Sequence, residues 1–166
     1  DVEAGITDLD GTYFLQNAAS NLYMTINGGY TNIADGANIM QFSKISNTSQ
    51  QFKLIHVGDG IYKIFAVHSD KSMDVDNGSK SNGANVQQWT YNGFPSQQFI
   101  VSPADSGNYL LIALHSGKIV ESITTSANAN VRQYANTNQK KGQWKLVPVP
   151  PLPTGTGIGL DAQYYN

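Results

Sequence analysis

The chain has 166 residues, 40% of them hydrophobic, which is enough for one well-buried core. Only 22 residues are charged, against 28 Asn and Gln, and the net charge is −2. A polar but nearly neutral surface argues against nucleic-acid and anionic-membrane partners, which require clustered Lys and Arg, and the absence of cysteine excludes a disulfide-stapled scaffold.

One pattern occurs three times along the chain. Each copy starts with Gly-x-Tyr, has Gly-Ala-Asn or Asn-Ala-Asn in its middle, and closes on an aromatic residue. The spacings between successive copies are 49 and 47 residues for the starting tyrosines, and 47 and 45 for both the middle asparagines and the closing aromatics. These anchors are Tyr13, Tyr62 and Tyr109; Asn38, Asn85 and Asn130; and Phe52, Phe99 and Trp144. A fixed period of this size indicates one supersecondary unit used three times, in copies at about 11–59, 60–106 and 107–149.

Short runs rich in Tyr, Phe, Ile, Val and Thr alternate with Asn-, Asp- and Gly-rich turns. The clearest runs are 13–15, 52–57, 61–67, 99–102, 109–114 and 144–149. No window keeps an apolar helical period over three turns. Four short strands per copy, about twelve in all, predict an all-β barrel or sandwich.

The composition changes after residue 149. Four prolines at 148, 150, 151 and 153 lead into a Gly/Thr-rich stretch, which predicts a linker over 150–157. Residues 158–166 are expected to start a following module or to form a C-terminal strand on the barrel. The chain opens at Asp1 without an apolar signal segment, which fits a processed secreted protein or an excised module.

The second copy carries the most specific motif. Lys-Ser-Met-Asp-Val at 71–75 is followed by Asn-Val-Gln-Gln-Trp at 85–89, Asn-Gly at 92–93 and Gln-Gln-Phe at 97–99. This resembles the ricin-B-type lectin repeat, a family that includes the family 13 carbohydrate-binding modules and has Q-x-W near the end of each copy. The resemblance extends over about residues 10–149. It implies a β-trefoil of three four-stranded copies around a pseudo-threefold axis, with a shallow sugar pocket possible in each.

Two features depart from the family pattern. The cysteines that often staple each copy are absent, and Ser72 and Tyr91 stand in their places in the second copy. Gly142 replaces the closing glutamine of the third copy, which predicts weaker hydrogen bonding there.

A sugar site needs an aromatic ring for the apolar pyranose face, a carboxylate for hydroxyl protons, and amides around it. In the second copy the family pattern places the acid at Asp74, the ring at Trp89, and amides at Gln87, Asn92 and Gln97. Strand alternation turns Trp89 and Gln87 to the same face. The alternative is that Asp74 caps the turn at 76–78, Trp89 fills the core and Gln97 only fixes its loop.

The third copy offers Glu121 as the acid, Tyr134 as the ring and Asn136 or Asn138 as the amide, and Arg132 replaces the glutamine. The alternative is a Glu121–Arg132 surface ion pair without a sugar site.

The first copy has Thr25, Met40 and Phe42 at the corresponding positions. Because it lacks a carboxylate, we expect its site to be vestigial.

Other chemistries have weaker support. His68 and His115 occupy matching repeat positions, where the first copy has Ala19, and we assign them structural roles. No Gly-x-Ser-x-Gly nucleophile motif and no cluster of metal ligands is present, so we expect no catalytic residue, metal or cofactor.

The sequence therefore predicts a non-catalytic carbohydrate-binding module of a larger glycoside hydrolase. We expect it to be secreted, monomeric and tethered to a catalytic module, and to bind a galactose-, arabinose- or xylose-containing glycan. Its partners would include neither nucleic acid nor membrane. The alternatives are a structural or inhibitor-like β-trefoil that binds protein, and a glycosidase, which would need two carboxylates about 5–10 Å apart.

Overall fold

The computed structural model describes residues 8–151, and twelve β-strands make up most of the regular structure in that range. The strands are β1 (Gly11–Asn17), β2 (Tyr23–Ile26), β3 (Ile39–Phe42), β4 (Phe52–Gly58), β5 (Ile61–Ala66), β6 (Lys71–Val75), β7 (Val86–Trp89), β8 (Phe99–Pro103), β9 (Tyr109–Ala113), β10 (Ile119–Ser122), β11 (Val131–Tyr134) and β12 (Trp144–Pro148). Single 3-10 turns lie at Gly29–Thr31, Thr48–Gln50, Asp76–Gly78, Pro95–Gln97, Asp105–Gly107 and Lys140–Gly142. Most of the predicted linker and the whole of segment 158–166 lie outside the described residues.

Six of the strands close into a barrel. β1 pairs with β12 and β4, β5 pairs with β4 and β8, and β9 pairs with β8 and β12, all antiparallel. The other six strands form three hairpins, β2–β3, β6–β7 and β10–β11. Isolated bridges join the hairpins to one another, so they meet around a common axis. The predicted β-trefoil of three four-stranded copies is confirmed.

The three closing aromatics lie in the core. Phe52, Phe99 and Trp144 are at most 1% exposed. The Trp144 indole N–H also donates to the Val120 carbonyl at 2.9 Å, so its polar atom is satisfied inside the core.

A buried glutamine links each copy to the next. We call these residues the clamp glutamines: Gln41, Gln88 and Gln133, each fully buried. The Gln88 amide donates to the carbonyls of Asn32 (3.0 Å) and Ala34 (2.9 Å) in the first copy. Its oxygen accepts from the Ser69 hydroxyl at 2.8 Å. Two carbonyls of the first-copy loop thereby gain a side-chain donor from the neighbouring copy.

The same arrangement repeats around the axis. The Gln133 amide donates to carbonyls 79 and 81 of the second copy, at 2.9 and 2.8 Å. The Gln41 amide donates to carbonyls 124 and 126 of the third copy, at 3.0 and 2.8 Å. Each copy thus holds the loop of one neighbour, and the three pairs of hydrogen bonds link the copies in a ring around the axis.

The two matched histidines take part in these contacts. His68 Nε2 lies 2.9 Å from the Asn32 carbonyl, and His115 Nε2 lies 2.7 Å from the Ser79 carbonyl. Each histidine therefore reaches a carbonyl that the clamp glutamine of its own copy also binds. This placement agrees with a structural role.

The middle asparagines meet at the axis. Asn38 Nδ2 donates to Asn130 Oδ1 at 2.6 Å, and Asn130 Nδ2 donates to Asn85 Oδ1 at 2.9 Å. The asparagine of the motif in the middle of each copy thus forms side-chain hydrogen bonds between copies.

Replacing a clamp glutamine should destabilise the domain far more than replacing a glutamine that does not bind a neighbouring copy. Gln88→Ala removes both amide hydrogen bonds to the first-copy loop and the fully buried side chain that makes them, and should lower the free energy of unfolding by about 2–4 kcal/mol. The control is Gln98→Ala, because the Gln98 amide donates only to the Tyr91 hydroxyl of a half-buried pair, at 3.1 Å. Urea unfolding followed by fluorescence measures both, and equal losses would contradict the role of the clamp.

Candidate functional site

The β6–β7 hairpin of the second copy brings an acid, an amide and an indole to one face. Asp74 pairs with Gln87 across the hairpin, and Ser72 pairs with Trp89. Gln87 Nε2 donates to Asp74 Oδ2 at 3.1 Å. Because residues two apart on a strand share a face, Trp89 follows Gln87 to the same side.

These side chains line an open cleft of about 330 Å³. Its walls are formed by Asp74, Asp76, Asn77, Gly78, Gln87, Trp89, Asn92, Phe94 and Ser96. Trp89 is 40% exposed and Phe94 is 64% exposed, whereas Asp74 is 7% exposed. An exposed indole beside a buried carboxylate is the arrangement that a sugar ring requires, and Trp89 does not fill the core.

The Asp74 carboxylate is held by two side chains. Oδ2 accepts from Gln87, and Oδ1 accepts from the Ser96 hydroxyl at 3.4 Å. Burial raises the pKa of Asp74, and the nearby Asp76 charge raises it further; the two hydrogen bonds and His115 only partly offset this. A carboxylate kept in a cleft despite the cost of its ionised form is typical of a functional position.

The loop after β7 presents Asn92 to the cleft. Asn92 Oδ1 accepts from the Phe94 N–H at 2.9 Å, which leaves its NH₂ group as the donor for a ligand. Gln97 lies behind this loop and is fully buried. Its Oε1 accepts from the Asn92 N–H at 2.7 Å, and its Nε2 donates to the Thr90 carbonyl at 3.0 Å. Gln97 therefore supports the loop and does not line the cleft.

Sequence reasoning missed five of the nine residues that line the cleft: Asp76, Asn77, Gly78, Phe94 and Ser96. Asp76 begins the turn at 76–78, and Gln87 Nε2 also donates to its Oδ1 at 3.3 Å. Its position two residues after Asp74 was a usable signal, because that spacing places both on the same face. Phe94 lies in a loop, where no sequence period indicates the direction of a side chain.

The third copy pairs its acid with a cation. Glu121 lies opposite Arg132 in the hairpin, and Arg132 Nε and Nη2 each approach Glu121 Oε2 to 3.0 Å. The guanidinium also stacks over the Tyr134 ring at 4.3 Å. The ion pair that the sequence left as an alternative is thus formed. The pair is partly buried rather than a surface one, because the Glu121 side chain is 1% exposed and the Arg132 side chain is 22% exposed.

The loop of the third copy differs as well. Asn136 is exposed, and its Oδ1 accepts from the Asn138 N–H at 2.9 Å. Gly142 cannot carry a longer side chain without a shift of Ile119, whose Cδ1 occupies the place of a Cβ. Ile119 stands where the second copy has Ser72, so the space taken by Gln97 in the second copy is filled by an apolar group.

The first copy has no carboxylate at the acid position. Thr25 is 2% exposed, and its hydroxyl donates to the Tyr23 carbonyl at 2.7 Å. The closing glutamine, Gln50, donates to the same hydroxyl at 3.0 Å. The hydroxyl is therefore used within the hairpin.

Residues 3–89, just over half of the chain, match the family described as the ricin-type β-trefoil lectin domain-like family. The chain belongs to this family.

Solved structures agree with that membership. The designed threefold-symmetric protein ThreeFoil is 39% identical with a TM-score of 0.81, and the match covers 84% of this chain and all of that one. The exo-β-1,3-galactanase 1,3Gal43A from Clostridium thermocellum is 30% identical with a TM-score of 0.77. That match covers 87% of this chain and 31% of the galactanase.

A curated relative is much longer than this chain. The clotting factor G alpha subunit of Tachypleus tridentatus is 42% identical over 60 residues, which is 36% of this chain. The match spans only 9% of the length of that subunit.

The ricin-type trefoil family and fold indicate a non-catalytic binding domain. Within residues 8–151, no group of three or more His, Cys, Asp and Glu side chains converges as a metal site would require. No helix in that same range has the length and hydropathy needed to cross a membrane.

Asp74→Asn should raise the thermal stability of this lectin domain at pH 7. Burial raises the pKa of Asp74 in the folded state, so ionisation of this carboxyl disfavours folding. The protonated form, which favours folding, is lost as the pH rises through the raised pKa, whereas Asn stays neutral. The gain should therefore shrink as the pH falls towards the ordinary aspartate pKa of about 3.9, where the parent carboxyl is protonated as well. Calorimetry at several pH values measures this.

The matched control is Asp70→Asn, the same change at an exposed turn. A destabilised Asp74→Asn domain would show that the carboxylate serves the fold and not a site.

Proposed function

We propose that this chain is a carbohydrate-binding module that holds a glycan in the second-copy cleft. The observation that carries the proposal is the half-exposed Trp89 indole lying in one cleft with the buried Asp74 carboxylate. Family membership supports carbohydrate binding in general, and the geometry of the cleft supports this particular place.

Each group would take a defined part of a sugar. The apolar face of a pyranose stacks on Trp89, and two of its hydroxyls donate to Asp74 through charge-assisted bonds. The Gln87 oxygen accepts from a further hydroxyl, and the Asn92 NH₂ donates to a ring-edge oxygen. Because Gln87 and Ser96 already hold Asp74, little side-chain entropy is lost when the sugar binds.

The third copy is a weaker candidate. Glu121, Tyr134 and Asn136 were expected to form a second site, but Arg132 occupies the Glu121 carboxylate and covers Tyr134. We therefore assign binding to the second copy.

An open site of this kind binds weakly, on the order of millimolar, which is about −4 kcal/mol. Tethering to an enzyme would raise the effective concentration at a polymer. The match to 31% of the length of an exo-β-1,3-galactanase supports a module of a glycan-active enzyme. We further propose that this module is secreted and monomeric. Glycans containing galactose, arabinose or xylose are the proposed ligands, and residues 150–157 would be the linker to the next module.

A second candidate function is protein binding. Tyr30 and Ile33 are 60% and 59% exposed on the first-copy loop, and exposed aromatic anchors are common in protein interfaces. Under that function, Tyr30→Ala would abolish partner binding and leave glycan retention unchanged.

Trp89→Ala and Asp74→Ala should each reduce glycan retention at least tenfold, because the first removes the stacking surface and the second removes the hydroxyl acceptor. Affinity electrophoresis of the domain through gels containing galactan, arabinan or xylan measures the retention. The control is Tyr134→Ala, the same position in the third copy, which should migrate like the parent. Retention of both second-copy variants at parent levels would reject the site.

A further inference from the structure

The second-copy cleft holds two carboxylates that share one amide. Gln87 Nε2 donates to Asp74 Oδ2 at 3.1 Å and to Asp76 Oδ1 at 3.3 Å. Both acids line the cleft, and Asp76 is only half-buried, so its remaining acceptor positions face the ligand space.

The shared amide fixes the chemistry of this wall. Since the Gln87 NH₂ group is directed at the two acids, the group that it offers to a ligand is its oxygen. The acids and this oxygen are all hydrogen-bond acceptors. None of the residues lining the cleft is Lys, Arg or His; His115 lies near Asp74 but is bound to the Ser79 carbonyl, outside the lining.

The fold does not require an acid at position 76. The first copy has Asn27 and the third has Ile123 at the equivalent place. Two carboxylates on one amide repel each other, an arrangement that disfavours the ionised pair. The first and third copies lack this pair of like charges, and in the second copy both acids line the cleft. This combination points to a role in binding.

We propose that Asp76 is a second specificity residue and that the cleft selects sugars whose ring edge donates hydrogen bonds, favouring a protonated amino sugar and rejecting anionic sugars. This inference rests on the proposed function. A protonated amine brings three donors and a positive charge to the two acids, whereas a sugar carboxylate brings a third negative charge.

Three sugars with one ring stereochemistry test the selection: the methyl β-glycosides of D-galactose, D-galactosamine and D-galacturonic acid. They are titrated into the full chain at about pH 6.5, where the amine is protonated. The readout is the NMR shift of the Trp89 indole N–H. Trp144 is the other tryptophan, and its buried, hydrogen-bonded indole is the internal reference.

The galactosaminide should bind tightest and the galacturonide weakest, about tenfold or more apart. Asp76→Asn should reduce that ratio about threefold to tenfold, because it removes one of the two charges and keeps the shape. The matched control, Asp70→Asn, removes an exposed charge that does not line the cleft and should leave the ratio unchanged.

An unchanged ratio in Asp76→Asn, equal binding of the amino and acidic sugars, or no Trp89 shift with any of the three would each overturn the inference. The gel retention of the parent protein judges the proposed function separately. If the parent protein is retained but shows no charge selection, only the role of Asp76 is rejected. If the parent protein is not retained on any glycan gel, the proposed function and the role of Asp76 are both rejected.

Discussion

The fold depends on three buried glutamines that satisfy loop carbonyls of a neighbouring copy. A β-trefoil copy cannot bury its own hairpin, so the loops that meet at the axis need donors from outside. Gln41, Gln88 and Gln133 supply them, each with two bonds of 2.8–3.0 Å. Removing one such donor takes two hydrogen bonds away from the loop of the neighbouring copy, which is why the contact is energetically important although glutamine is a polar residue.

The same clamp determines the direction of the site. Because side chains alternate along a strand, fixing Gln88 against the first copy forces Gln87 and Trp89 to the opposite face of β7. Hairpin pairing then brings Asp74 beside Gln87. The residues of the cleft are therefore placed by a constraint in which they take no part, and other residues at the acid position, such as Thr25 and Glu121 in the sister copies, leave the scaffold intact.

The repeat and the common face of Gln87 and Trp89 could be predicted from sequence, because periods and strand alternation carry that information. The trefoil and the acid position at Asp74 came from the resemblance to the ricin-B-type repeat. The direction of Gln97 could not be predicted, since a loop side chain has no period, and burial against Thr90 and Asn92 decided it. The burial of the Glu121 carboxylate depends on packing around β10, where Ile119 fills the space that Gly142 leaves. Asp76 was missed because its sequence context is also a good turn.

The requirements of stability and of the proposed binding oppose each other at Asp74. Burial leaves less water to compete for the carboxylate as an acceptor, and the same burial raises its pKa and disfavours the ionised form in the folded state. The third copy removes this conflict by pairing its acid with Arg132, and the first removes it by replacing the acid with Thr25. Only the second copy keeps an acid with neutral partners, Gln87 and Ser96, which orient the carboxylate without neutralising it. A ligand that brings hydroxyl donors, or a positive charge, is what completes such a site.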